Sequence, residues 1–334
     1  MCRLFISAVN FNKLGVKFLG LYSFKGTLDP LAPFDFSQSL AYLSDFSPMK
    51  NEQAVSNNSF SKAVETKGKT IAFEVTDSGN VEKPKLQFTA YSETKFTNEI
   101  EQLVADRISF FLSLQDDLKE FYKIANQDEC FKPIITRFYG HKQVKFLTPF
   151  EITCWAILGQ RIPMAVAHKI KERLVEKFGG HINIKGDEYR TFPEPATINE
   201  VEFSKLLETI HNEKKAEWIL GAAKAFNHMD EQWLRTAPYD DVYVWLTNIK
   251  GIGEWSANFI MIRGLGRMEK LSSLGPELAT SASKIYKGND EEMSDQELCK
   301  IADKYDQWKG YWAYYLRIYA EFLYVFEIGK KQLN

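Results

Sequence analysis

The 334-residue chain has few of the residues that hold metals or cross-link small domains. Its four cysteines are far apart and include no CxxC pair, which excludes a zinc ribbon and a four-cysteine iron–sulfur loop; they are Cys2, Cys130, Cys154 and Cys299. The five histidines form no HxxxH or HxE pair, so a transition-metal site is not expected. This cysteine usage predicts a reducing compartment, the cytoplasm or nucleoid of a bacterium or the nucleus of a eukaryote.

The chain also lacks an excess of charge of one sign and any long apolar run. It has 42 Lys and Arg against 44 Asp and Glu, a net charge of -2, which excludes nucleic-acid binding through bulk positive charge. No apolar run approaches the ~18–20 residues of a membrane-spanning helix, so no membrane partner is expected. With 45% hydrophobic residues, the chain can bury a substantial core in about two or three domains.

Residues 20–114 have the pattern of a small α+β domain. Apolar residues alternate over 71–75 and again over 86–90, and the residues at 77–80 favour a turn between these runs. We therefore expect an antiparallel pair of strands with one buried face. Apolar residues at helical spacing over 100–111 predict a helix that closes this amino-terminal domain.

Beyond this domain, strand signals fade and residues 115–328 are expected to form an all-helical core. Thr148 can cap a helix that has Pro149 at its first position. Residues 181–200 are interpreted as a loop. The predicted helices span 149–158, 163–178, 203–212, 214–228 and 240–249. Residues 1–19 are expected to be a poorly ordered extension, and residues 329–334 a tail.

The most informative stretch is residues 246–259. An amphipathic helix ends at Ile249, two glycines permit a tight hairpin, and a new helix begins near Glu254. Free amides at a helix start can bind a phosphate without much positive charge, although a packing corner between two helices has the same GxG pattern. The candidate backbone-contact residues are Lys250, Gly251, Ile252, Gly253 and Glu254.

Two segments carry a family resemblance. IKGIGEWSANFIMIRGLG, residues 249–266, resembles the helix-hairpin-helix of the DNA glycosylase superfamily that ends in a Gly-Pro-Asp region. LTPFEITCWAILGQRIPMAVAHKIKERLVEKFGG, residues 147–180, resembles the segment of DNA-3-methyladenine glycosylase II that inserts into the duplex. The resemblance covers about residues 20–328 and implies a monomeric base-excision-repair enzyme that removes alkylated purines, such as 3-methyladenine and 7-methylguanine, from double-stranded DNA.

The resemblance assigns roles to particular residues. Gln160 and Arg161 occupy the position whose side chain fills the hole left by an extruded base, although Arg161 also reads as an ordinary solvated arginine. Trp255 and Phe259 match aromatic positions of the family's base pocket. The alternative is that both side chains belong to the hydrophobic core. Tyr319 is a third pocket candidate, since the next residue, an alanine, stands where the family has tryptophan.

The resemblance also bears on cofactors and reaction type. It implies no cofactor beyond a monovalent cation held by the backbone carbonyls of Ile249, Gly251 and Ile252. Bifunctional members carry a lysine nucleophile two residues after the second hairpin glycine, and Trp255 stands there in this chain. The implied reaction is therefore hydrolysis by water, without a Schiff base.

The catalytic aspartate of the family is missing at its expected place. Counting 24 residues from the first hairpin glycine leads to Gly275, and no aspartate occurs between Asp241 and Asp290. Glu277 is the nearby acid, but after Pro276 it also fits ordinary helix-start chemistry. Three alternatives follow. The first is an alkylbase glycosylase of weak or lost activity, the second is a non-catalytic binder of DNA lesions, and the third is a helical scaffold without DNA affinity.

Because the net charge is close to zero, contact with DNA should be confined to one face of the protein. Hairpin amides would bind phosphates there, assisted by a local basic set. The candidates for this basic set are Lys169, Lys171, Arg173, Lys250 and Arg263.

Overall fold

An antiparallel sheet of six strands occupies the amino-terminal part of the structure. The computed structural model describes residues 11–12, 20–45, 52–271, 275–288 and 292–332 of the chain. The strands run in the order β1-β2-β6-β5-β4-β3. They are β1 Phe11–Asn12, β2 Tyr22–Leu28, β3 Gln53–Val55, β4 Ser59–Thr66, β5 Lys69–Asp77 and β6 Leu86–Ser92.

The predicted strand pair is confirmed as β5 and β6, with Phe73 opposite Ala90 and Val75 opposite Phe88. Two helices accompany the sheet, α1 Phe36–Asp45 and α2 Asn98–Phe111. The second is the helix predicted over 100–111, and it begins where the side chain of Thr97 accepts the N–H of Ile100.

The rest of the described chain is mostly helical, and none of its helices has the length and apolarity to cross a bilayer. A 3-10 helix, Asp303–Trp308, precedes the last helix. The elements are α3 Lys119–Ala125, α4 Lys132–Arg137, α5 Pro149–Leu158, α6 Met164–Phe178, β7 His181–Ile184, β8 Asp187–Arg190, α7 Pro195–Glu200, α8 Phe203–Ile210, α9 Glu213–Asn227, α10 Glu231–Thr236, α11 Tyr239–Thr247, α12 Glu254–Arg263, α13 Pro276–Tyr286, α14 Asp295–Ala302 and α15 Lys309–Gln332.

The chain divides into two compact units. The first contains the residues up to 116 together with 140–265, and the second contains 117–139 together with the residues from 266 onward. The sheet and the helices from α5 to α12 thus share one unit, so the division differs from a simple boundary at residue 114. Phe11 and Asn12 of the expected extension form β1, and α15 continues past the expected boundary at 328 to Gln332.

The expected loop at 181–200 is wrong, because it contains the hairpin β7–β8 and helix α7. Positive φ angles at Lys185 (55°) and Gly186 (100°) form the turn between the two strands. Ile182 and Ile184 pack with Ala63 and Ala72 on the sheet face opposite the main core. Residues 115–328 are therefore not all-α, and the hairpin covers the second face of the sheet.

Helix α5 is the centre of the first unit, because all ten of its residues are buried. It begins as predicted, with the Thr148 side chain accepting the N–H of Glu151 and Pro149 at the first position. Inside the core, the Glu151 carboxylate accepts a hydrogen bond of 2.7 Å from Lys171. Burial of this helix forces its polar groups to find partners within the protein.

An ion-pair network joins α2 of the sheet region to α10. Arg107 binds the two carboxylate oxygens of Glu231 through two hydrogen bonds of 2.7 Å, and Arg235 donates to the same carboxylate. Burial opposes ionisation of Glu231, but the two guanidinium groups outweigh it and lower its pKa to about 2.

The Glu231 network should make the protein sensitive to acid. Because the pKa of Glu231 lies below its ordinary 4.5 in the folded state, its stabilising effect is present above pH 4.5 and is lost as pH falls towards 2. Glu231→Gln should lower the free energy of unfolding at pH 7 by about 2 kcal/mol. It should also flatten the decline in stability between pH 4.5 and 2, as measured by denaturant unfolding at several pH values.

Glu208→Gln is the control, because Glu208 forms an exposed pair with Lys177 at 3.8 Å. Such a surface pair should contribute about 0.5 kcal/mol. Equal effects of the two substitutions would contradict the role given to Glu231.

Candidate nucleic-acid interface

The hairpin between α11 and α12 is formed as the glycine pattern predicts. The N–H of Ile252 donates to the carbonyl of Ile249 at 2.9 Å, and Gly251 has a φ of +94°. A Cβ placed on Gly251 would lie 2.6 Å from the indole ring of Trp218. Gly251 is therefore required both for its backbone conformation and for the close approach of Trp218.

The start of α12 presents backbone amides that no capping side chain occupies. Gly253 is the cap residue, makes no side-chain hydrogen bond and has open space where a Cβ would stand. Glu254 follows, exposed, at the first helical position. Lys250 is 78% exposed and lies 3.5 Å from Glu217. This arrangement can accept an anion at the helix start.

The turn after α5 is tied to the hairpin. The side-chain amide of Gln160 donates to the carbonyl of Gly251 at 2.7 Å. Arg161 is exposed and has a left-handed backbone conformation, with φ of 55°. Of the two residues predicted to enter DNA, the structure thus uses the Gln160 amide within the protein and leaves Arg161 exposed.

A lysine outside the predicted basic set holds this turn. Lys215, in the first turn of α9, donates to the carbonyl of Leu158 at 2.6 Å and to that of Gln160 at 2.9 Å. Its position in KKAEWIL looks like an exposed helix start, and the sequence contains no signal for these contacts. The helix end at Leu158 is therefore capped by an ammonium group, which also suits the helix dipole.

Trp255 and Phe259 form an exposed aromatic stack next to the hairpin. Their ring centroids are 5.2 Å apart and the ring planes differ by 12°. Trp255 is 59% exposed, whereas Phe259 is half-buried and packs edge-on against Phe146. Exposure of so large an apolar ring is typical of a ligand-binding or stacking surface.

The expected basic set needs correction. Lys171 is buried between Glu151 and Glu52, which outweigh the effect of burial and raise its pKa. Arg263 is also buried and donates to the hydroxyl of Tyr42. Because both side chains are buried, they cannot reach a phosphate. The prediction was wrong for them because the sequence of a helix rich in charged residues does not reveal which of those residues faces the core.

The remaining members of the basic set differ in their availability. Arg173 donates through Nε to the carbonyl of Thr209 at 3.0 Å. Lys169 is exposed on α6, as Lys250 is at the hairpin. Of the five expected cations, Lys169 and Lys250 are therefore the two that are exposed and that do not hold the fold together.

The residues expected to do or assist chemistry lie in the second unit. Gly275 is the cap of α13, and residues 272–274 lie outside the described part of the chain. Glu277 is 72% exposed, with Oε1 4.0 Å from Nε of Arg317. Tyr319 is half-buried and packs edge-on against Phe138.

Two of the three carbonyls expected to hold a monovalent cation already have partners. Ile249 accepts from Ile252, and Gly251 accepts from Gln160. Each carbonyl oxygen has a second lone pair, so these contacts are compatible with a cation, which stays a prediction. Within the described residues, no group of three or more His, Cys, Asp or Glu is placed to hold a metal ion.

The chain is similar in sequence to known proteins. Residues 154–269 match a family model described as HhH-GPD superfamily base excision DNA repair protein. A DNA-3-methyladenine glycosylase of Bacillus subtilis is 28% identical over 287 residues, which cover 85% of this chain and 93% of that relative.

Two solved structures share the fold. A 3-methyladenine DNA glycosylase from Archaeoglobus fulgidus has a TM-score of 0.71 at 22% identity and covers 89% of this chain and 99% of its own. The 8-oxoguanine glycosylase/lyase of Clostridium acetobutylicum, in complex with double-stranded DNA, has a TM-score of 0.63 at 15% identity, with coverages of 94% and 97%.

Gly251 and Gly253 should respond differently to substitution. Gly251→Ala should destabilise the protein by about 2 kcal/mol or more, because its φ is positive and its Cβ would meet Trp218. Gly253→Ser should change stability by less than about 0.5 kcal/mol, since the site is open and serine is a good cap. Chemical denaturation measures both, and equal losses would contradict this account of the hairpin.

Proposed function

On the premise that residues 154–269 match the HhH-GPD superfamily of base excision DNA repair proteins, we propose that the chain belongs to that superfamily and is a monofunctional DNA glycosylase. It extrudes an alkylated purine of the 3-methyladenine or 7-methylguanine type from double-stranded DNA. It then hydrolyses the bond between base and sugar, acting as a monomer. The name of the Bacillus subtilis relative supports this choice of lesion.

The observation that carries this proposal is the exposed stack of Trp255 on Phe259. Methylation of a purine ring nitrogen gives the base a positive charge. An aromatic face attracts a cation, by about 0.5–2 kcal/mol depending on how much water is excluded. The stack therefore favours alkylated purines over the uncharged bases of normal DNA.

Two neighbouring elements would hold the DNA. The amides at the start of α12 bind a phosphate, with Gly253 leaving room for the backbone to approach. Arg161 fills the space that the extruded nucleotide leaves, and its guanidinium stacks on a base or pairs with a phosphate. Both elements lie in the first unit and are joined by Gln160.

The chemistry begins from an activated leaving group. A cationic purine departs as a neutral base, which lowers the demand on the protein for acid catalysis. Trp255 stands where a lyase would carry its lysine, so water is the nucleophile. Glu277 is the carboxylate we assign to stabilise the positively charged sugar and orient that water.

A second candidate function is non-catalytic binding of alkylated DNA. Gly275 has no side chain at the expected aspartate position, and Glu277 is exposed beside Arg317. Such a protein would use the hairpin, Arg161 and the aromatic stack to mark lesions for other proteins.

A base-release assay separates the two functions. Purified protein mixed with methylated duplex DNA should release free 3-methyladenine or 7-methylguanine, measured by chromatography. Glu277→Gln should slow single-turnover release at least about tenfold, because it removes the charge that stabilises the sugar cation. Glu269→Gln is the matched control, since Glu269 also pairs with an arginine, Arg267, at 2.7 Å.

Each other outcome has a distinct meaning. Methylated duplexes that shift on a gel without base release would favour the lesion binder. Release that is unchanged in Glu277→Gln would remove Glu277 from the mechanism.

The aromatic stack makes a second prediction. Trp255→Leu should reduce the preference for a duplex containing cationic 7-methylguanine over one containing its neutral 7-deaza analogue, by about fivefold or more. Val244→Ala, at a comparably exposed apolar residue of α11, should leave the preference unchanged. Fluorescence anisotropy in the cold measures both affinities, and a preference retained by Trp255→Leu would exclude the stack as the base site.

A further inference from the structure

One face of helix α9 contacts both elements assigned to DNA. Lys215 reaches the end of α5 and the following turn, through the carbonyls of Leu158 and Gln160. Trp218, three residues later, packs so closely under the hairpin that a Cβ on Gly251 would lie 2.6 Å from its ring. Residues three apart lie on the same helix face. This face therefore fixes the turn and the hairpin relative to one another.

Gln160 links the same two elements directly. Its main-chain carbonyl accepts from Lys215 at 2.9 Å, and its side-chain amide donates to the carbonyl of Gly251 at 2.7 Å. The two ends of this side-chain bond are 91 residues apart in the sequence. We name the chain of contacts from Lys215 through Gln160 to Gly251 the strut.

Lys215 is a costly residue for a purely structural role. Its side chain is 6% exposed, and its hydrogen-bond partners are carbonyl oxygens. Burial lowers the pKa of its ammonium group, which shows the cost of removing the charge from water. An apolar side chain of similar length would avoid that cost but would leave the carbonyls of Leu158 and Gln160 without this donor, so lysine both caps the end of α5 and fixes a particular geometry.

Arg161 is the residue whose direction this geometry determines. It has a left-handed backbone conformation, with φ of 55°, which costs a residue with a Cβ about 1–2 kcal/mol. Such a conformation persists where the surroundings fix it. The preceding residue, Gln160, is held at both its main chain and its side chain, and so sets where the Arg161 side chain begins.

We propose that Lys215 is a positioning residue that, through the strut, holds Arg161 at the distance from the hairpin needed for insertion into DNA. This inference rests on the proposed function, because it assigns Arg161 to insertion. It adds a residue that would not itself touch DNA. Its effect is on the geometry of the inserted side chain.

The first experiment tests the strut without DNA. Lys215→Met should raise amide hydrogen exchange at least fivefold in both 159–162 and 249–253, measured by mass spectrometry. Lys142→Met is the matched control, because Lys142 is equally buried and also donates to two carbonyls, those of Leu31 and Leu114. It should leave both segments unchanged, and unchanged exchange in Lys215→Met would overturn the strut.

The second experiment tests positioning. Lys215→Met should weaken binding to a duplex with an abasic site about tenfold, and Lys215→Arg should restore part of that loss. Arg161→Ala should weaken binding in the wild-type background and add less than twofold in the Lys215→Met background. Additive losses would overturn the positioning role, because the two side chains would then act independently.

The same measurements separate this inference from the proposed function. A wild-type protein that binds no DNA, but in which Lys215→Met still loosens both segments, would overturn the proposed function and the insertion role while leaving the strut. A protein that binds and releases alkylated bases with Lys215→Met fully active would overturn the inference alone.

Discussion

The complete burial of α5 is the constraint on which the rest of the first unit depends. A helix without an exposed face cannot satisfy its terminal groups or its one carboxylate with water. At the helix start, the Thr148 side chain accepts a backbone N–H and Pro149 has none to satisfy. Lys171 neutralises Glu151, and Lys215 donates to the carbonyl of Leu158 at the helix end. Since the turn that follows α5 carries Arg161, the same interactions that bury the helix also set the geometry of the candidate DNA surface.

The parts of the fold that depend on local signals were predictable. The start of α5 follows from a cap, a proline and an acid within four residues, and the hairpin follows from Gly251 and Gly253. The pair β5–β6 follows from alternation on both sides of a turn. The hairpin β7–β8 also has a signal, the alternating isoleucines before Gly186, but the prolines and the glycine within residues 181–200 favour a loop instead.

The buried charges were not predictable, because their partners are distant in sequence. Lys171 and Lys215 lie on helices rich in charged residues, where most lysines are solvated. What distinguishes them is a carboxylate on another helix or the open end of α5. The role of Gln160 depends likewise on Gly251, 91 residues away. The sequence alone therefore does not distinguish the exposed Lys169 and Lys250 from the buried Lys171 and Arg263.

Gly275 stands where the family resemblance leads one to expect an aspartate, which bears on the proposed chemistry. An enzyme that attacks neutral bases must supply both an acid for the leaving group and a carboxylate for the sugar cation. Under the proposed function, a cationic alkylpurine leaves as a neutral base and needs no acid, so the protein has to supply only the carboxylate, the role assigned to Glu277. Under the proposed function, the positive charge of the base then has two effects. It attracts the base to an aromatic face, and it makes the base a better leaving group. The lesion range should narrow to charged purines for both reasons, without a specific contact that rejects normal bases.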